Sequence, residues 1–185
     1  PRRIGRIGEQ RRALREERGG TEICYNVGMR NDSRIVYHGS SVPVTQPEVR
    51  TNGFAKDFGF GFYCTDFERQ AQRWALSKRP GHVVSVYGCG SFEGLKAKQF
   101  PAMSEEWLDF VLSCRRGVAH DYDIVEGPMA DDTIWNYVED FAAGLISREA
   151  FWALVKFKHP THQIAFCSEE ALARLEYRGC YAREE

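Results

Sequence analysis

Apolar residues recur along this chain with two periods, and the switches between them predict its elements. Arg34-Ile35-Val36-Tyr37-His38 reads as a short strand halted by Gly39. From Thr65 the period lengthens: Phe67, Ala71, Trp74, Ala75 and Lys78 fall on one helical face, which Pro80-Gly81 ends. Thr65 and Glu68 have the spacing of a capping box, the hydroxyl accepting the Glu68 N–H and the carboxylate reaching back. Valine-rich His82 to Tyr87 predicts a strand, and Leu95 to Phe100 a second, shorter one after a glycine-rich turn. Ser104 caps a helix carrying Trp107, Leu108, Phe110, Val111 and Cys114, and Tyr122 to Glu126 is a strand stopped by Gly127-Pro128. Asp131 or Asp132 caps a helix lined by Ile134, Tyr137, Val138 and Phe141, and Ser147 starts another. Gln163 to Cys167 predicts a strand, Ser168 to Leu175 a short helix and Glu176 to Tyr181 a closing strand. Strands interspersed with helices of uneven length indicate an α+β fold with a mixed or antiparallel sheet, rather than a doubly wound parallel one.

Composition narrows the setting. The 185 residues are 43% hydrophobic and 13% aromatic, which supports one packed domain. Residues 1–18 hold seven arginines and three glutamates with little apolar periodicity. Residues 1–33 are therefore read as a basic extension, and 34–185 as the domain. A net charge of −1 provides no global field to gather nucleic acid or an anionic membrane, though the arm leaves nucleic acid conceivable. Six cysteines without any C-x-x-C spacing suit the reduced thiols of a cytoplasmic protein, and no metal site is expected. No stretch approaches the ~18 apolar residues of a membrane span.

Candidate chemistry concentrates in two stretches. Tyr37-His38-Gly39-Ser40 places an imidazole at a strand end, beside a glycine that lets a ligand reach the backbone and a serine that adds a hydroxyl. Asp57-Phe58-Gly59-Phe60-Gly61-Phe62-Tyr63-Cys64-Thr65 opens the next helix, and its glycines let Phe60, Phe62 and Tyr63 present ring faces to a flat ligand; the same aromatics could equally be core. The glycine-rich Gly88 to Gly94 has the wrong spacing for a dinucleotide loop and reads as a turn between strands. Glu126, Asp131 and Asp132 crowd one sharp turn, as helix caps or as catalytic carboxylates.

These stretches, with Gln70-Ala71, Trp74-Ala75, Gly127-Pro128-Met129-Ala130-Asp131-Asp132 and Gln163 before a strand, resemble the ADP-ribosyltransferase superfamily of the diphtheria-toxin and poly(ADP-ribose) polymerase type, and a bacterial domain family of unknown function within or near it. The resemblance runs from about residue 34 to 178. It implies a split mixed or antiparallel β-sheet core flanked by helices, with NAD as substrate. His38 would hold a ribose hydroxyl, the Gly39 backbone would meet the nicotinamide amide, and Tyr63 would stack on the pyridine ring, worth ~1–3 kcal/mol. Ser40, Gly61, Phe62, Thr65 and Gln70 complete the expected cofactor-binding set.

At the third position of the family pattern, where a glutamate is usual, this chain has Gln163. A carboxylate ~4 Å from the positive charge that builds on the sugar contributes roughly 4 kcal/mol at an effective dielectric near 20, about a thousandfold in rate. Either Glu126 or Asp131 takes the catalytic part beside Gln163, or turnover is slow or absent. The expectation is therefore a toxin- or effector-like mono-ADP-ribosyltransferase acting on a protein or nucleic-acid acceptor, with a possible antitoxin-like partner. The alternatives are a weak or inactive NAD-, nucleotide- or protein-binding module of the same fold, and an NAD glycohydrolase.

Overall fold

The computed structural model describes residues 34–51, 56–78, 81–130, 132–155 and 161–182. The basic extension 1–33 and Asp131 lie outside them. β3 (Val83–Cys89), the valine-rich strand, is the centre of an antiparallel sheet, pairing with β1 (Arg34–Ser40) on one side and β7 (Leu175–Ala182) on the other. A second sheet runs β2 (Phe62–Cys64), β6 (Gln163–Phe166), β5 (Ile124–Gly127), β4 (Ala97–Gln99), antiparallel except for the parallel β4–β5 pair. The two sheets meet at their edges, where Tyr37 and Thr65 exchange backbone hydrogen bonds of 2.9 and 3.0 Å. Helices α1 (Glu68–Leu76), α2 (Glu105–Arg115), α3 (Asp132–Ala142), α4 (Arg148–Val155) and α5 (Glu169–Leu172) complete an α+β fold, as expected.

The second sheet is covered on both faces, so every residue of β2 and β6 is buried. Successive side chains on a strand alternate faces. Tyr63, Val125 and Ala165 therefore join Trp107, Leu108, Ile134 and Phe151 of the helical layer in one core. Phe62, Cys64, Ile124, Ile164 and Phe166 pack on the other face, with Val36 and Tyr87 of the first sheet. α1 lays Ala71 and Ala75 on Val84.

Three sequence expectations are corrected. Phe62-Tyr63-Cys64 is a strand rather than the opening of a helix, because it fills the edge position beside β6. Thr65 and Glu68 do not form a capping box. The bridge to Tyr37 holds Thr65 extended, and its hydroxyl accepts the Phe67 N–H at 3.1 Å, while Phe67 is the N-cap with no side-chain cap bond. Ser104 and Ser168 do cap α2 and α5, accepting from the N–H groups of Trp107 and Ala171. β1 runs through Gly39 to Ser40 instead of stopping there.

Candidate functional site

The seam between the sheets places the first candidate residue. His38 stacks on Phe62, ring centroids 4.4 Å apart, and its Nδ1 lies 2.7 Å from the Tyr63 carbonyl. A carbonyl only accepts, so Nδ1 carries the proton. Burial lowers the pKa to about 4, with Lys56, Arg50 and Lys78 adding to the fall against that hydrogen bond. At neutral pH the ring is therefore uncharged and its Nε2 is an acceptor.

Gly39 has a different reason from the one its neighbourhood suggests. A Cβ there would stand 2.2 Å from the Ala71 carbonyl oxygen and 2.8 Å from the Ala75 nitrogen, so the missing side chain lets β1 lie on α1. Tyr63 is buried, its hydroxyl donating to the Gly59 carbonyl at 2.7 Å and accepting the Phe58 N–H at 3.2 Å. Both bonds depend on the turn in which Gly59 takes φ +77°, a conformation suited to glycine.

Gln163 is 3% exposed and shares a sheet face with Tyr63: Tyr63 pairs with Ala165, and Gly127 with Gln163. Its Nε2 donates to Asp57 Oδ2 at 3.0 Å and toward the Pro128 carbonyl at 3.4 Å. With the nitrogen committed, Oε1 is what Gln163 has left for a ligand. Asp57, 2% exposed, also takes the Ala130 N–H at 2.8 Å and Arg115 Nη2 at 2.5 Å. Sequence reading missed Asp57 as a site residue, although it opens the aromatic stretch; its partners come from α2, β6 and the turn after β5.

Two cavities open here. One, of about 290 Å³, is lined by His38, Gly39, Asp57, Tyr63, Arg115 and Gln163, among others. The other, of about 300 Å³, is lined by Ser40, Glu48, Arg50, Phe60, Gly61 and Phe62, among others. His38, Lys56 and Tyr63 line both.

Three candidates lie elsewhere. Thr65 is fully buried in the bridge to β1. Gln70 is buried with its amide clamped on the His162 main chain, Nε2 to O at 2.5 Å and Oε1 from N at 3.2 Å. Glu126 pairs with Ile164, one residue out of step with Gln163, so it projects from the opposite sheet face and does not line this cleft. Asp131 falls outside the described residues.

Glu126 belongs to an ion-pair network. Arg34 bonds Asp66 and Glu126, and His162 Nε2 lies 3.0 Å from Glu126. Burial opposes the Glu126 charge, but His162 and Arg34 together lower its pKa to about 2. Asp66, Glu126 and His162 bring ligand atoms within 4.8 Å of one another, as a metal site would. The Arg34 guanidinium already bonds both carboxylates and supplies the positive charge, so the group reads as a staple behind β6 rather than a metal centre.

This is an α+β protein of two edge-joined sheets with a polar cleft at their seam. It belongs to the family described as Protein of unknown function (DUF3990), whose model matches residues 34–177, from the first residue of β1 into β7. No curated protein and no solved structure matches the chain. No helix among the described residues is long and apolar enough to cross a membrane.

Proposed function

We propose that this protein binds NAD in the seam cleft and transfers ADP-ribose to a macromolecular acceptor, releasing nicotinamide. The observation that carries this reading is the convergence of His38, Gly39, Tyr63 and Gln163 on one cavity, from three strands of two sheets. Neutral His38 offers Nε2 to a ribose hydroxyl, the Gly39 main chain meets the carboxamide, and Tyr63 supplies a ring wall held in place by its own hydroxyl. Gln163 Oε1 accepts from the other ribose. When the C1′–N bond breaks, its electron pair neutralises the pyridinium, and the acceptor's nucleophile bonds C1′ and loses its proton.

The electron-deficient sugar needs negative charge nearby. Among the described residues lining this cavity Asp57 is the carboxylate, and Arg115 balances it. Turnover is accordingly slow. That same balance favours a second reading, a binding module that holds NAD without cleaving it. Incubation with adenine-labelled NAD and a cell lysate separates the readings. Free nicotinamide with label on a macromolecule supports transfer, nicotinamide with free ADP-ribose means hydrolysis, and heat of NAD binding without nicotinamide means the binding module. Absence of both binding and release overturns all three.

A further inference from the structure

The two cavities share the side chains of His38, Lys56 and Tyr63. Lys56 lines both, and its ammonium lies 5.0 Å from the centre of the Tyr63 ring. Among the described residues it has no carboxylate within ion-pair distance, unlike Arg34, Lys96, Lys98, Arg115 and Arg148, which each bond at least one. The residue is exposed, yet the cavity walls desolvate its ammonium and, with Lys78 and Arg115 close by, lower its pKa. Arg50 and Glu48 also line the first cavity, and Lys78 and the Asp57–Arg115 pair line the second. A cation that lines two chambers of about 300 and 290 Å³, with no carboxylate bonded to it among the described residues, suits a ligand with two nucleoside lobes and an anionic bridge.

We infer that Lys56 is the seat of a diphosphate: it grips the bridging phosphates of a dinucleotide whose halves occupy the two chambers. The identity of the ligand rests on the NAD reading; the anion seat rests on Lys56 and the cavities alone. The pyridine half lies in the chamber of Gly39 and Gln163, and the other nucleoside in the chamber of Ser40, Glu48 and Arg50. There Phe60, 37% exposed, gives a flat base a ring to stack on. A lysine acts on phosphate as a point charge and needs no fixed fork, so arginine replaces it in part and methionine does not.

Calorimetric titration of the full chain with ADP, ADP-ribose, NAD and nicotinamide tests this, using wild type, Lys56→Met and Lys56→Arg. Lys56→Met is expected to weaken ADP and ADP-ribose by about tenfold or more, the range of a charge-assisted hydrogen bond, and to leave nicotinamide within about twofold. Lys56→Arg keeps most of the affinity. Equal binding of ADP by wild type and Lys56→Met overturns the inference, as does wild type failing to bind ADP at millimolar concentration, or a parallel loss of all four ligands. The two proposals fail separately. ADP binding through Lys56 without nicotinamide release sustains the anion seat and removes the transferase reading. Nicotinamide release that Lys56→Met does not alter in rate or KM sustains the transferase and removes the anion seat.

Discussion

Replacing Gln163 by glutamate would place a carboxylate where the proposed reaction calls for one, and the geometry says that the new group will not carry its charge readily. Gln163 Nε2 is a donor placed 3.0 Å from Asp57 Oδ2 and 3.4 Å from the Pro128 carbonyl. A carboxylate would set an acceptor against both. Two negative charges ~4 Å apart repel by about 4 kcal/mol at an effective dielectric near 20, equivalent to ~3 pK units. Arg115, paired with Asp57, offsets part of this. If half remains, the introduced carboxyl titrates near ~6 instead of ~4.3, and below that it donates its proton to Asp57 as the amide did.

The consequence for stability has a definite sign. A carboxyl whose pKa is raised by folding keeps its native interactions below the unfolded value and loses them as pH rises through the folded one. The stability gap between wild type and Gln163→Glu is therefore small at about pH 4.5 and opens by about 2 kcal/mol toward pH 8, which is roughly 4–8 °C in Tm for a chain of this size. Thermal unfolding followed by circular dichroism, both proteins in matched buffers across that range, measures it. Any gain in nicotinamide release follows the same titration and emerges only above about pH 6. A Tm gap that is constant with pH, or absent at the alkaline end, would refute the Asp57–Gln163 contact on which the site is built.

Three further outcomes are expected. Gly39→Ala forces a methyl into the main chain of α1, 2.2 Å from the Ala71 oxygen, so stability falls by at least the ~1–3 kcal/mol of ordinary overpacking and Tm drops with it; if the glycine served only ligand approach, the variant would melt like wild type and lose NAD binding alone. Glu126, depressed to about 2 by its partners, contributes stability that is present above its unfolded pKa and lost as pH falls through about 2; Glu126→Gln removes that contribution, so the difference between the two proteins in acid unfolding shrinks over the same interval, and a constant difference contradicts the Arg34–His162 network. Tyr63→Phe leaves the Phe58 N–H without its partner and the Gly59 carbonyl with only the 3.3 Å bond from the Lys56 N–H, and costs about 1–3 kcal/mol in chemical denaturation while keeping the ring; a variant as stable as wild type places the hydroxyl elsewhere.

What was legible in the sequence was whatever a single element decides for itself. β3 announces itself by its valines and α2 by Ser104 at its cap, because neither signal needs a distant partner. β2 escaped for the opposite reason: Phe62, Tyr63 and Cys64 are all buried, so there is no wet face to give an alternating pattern. Thr65 met the spacing rule for a capping box, and Tyr37, from another sheet, overrode it. Asp57 had no local mark at all, since its role is defined by Arg115, Ala130 and Gln163.

The separation of Glu126 from Gln163 shows where chemistry-based reading stops. Both residues sit at the ends of neighbouring strands, and residue type alone favours the glutamate as the catalyst. Register separates the two: Glu126 opposes Ile164 and Gly127 opposes Gln163, so one residue of phase sends the carboxylate to the Arg34 staple and the amide to the cleft. The same phase puts Tyr63 on the amide's side through its pairing with Ala165. A one-residue slip of β6 would carry Gln163 and Ala165 out of the cleft face together, which explains why the start of that strand is held from behind. Gln70 clamps the His162 main chain, and Glu126 bonds its ring, one residue before Gln163. Gln70, nominated as a cofactor contact, and Glu126, nominated as a catalyst, thus hold the residue before Gln163 in the register that lets His38, Tyr63 and Gln163 share a cavity.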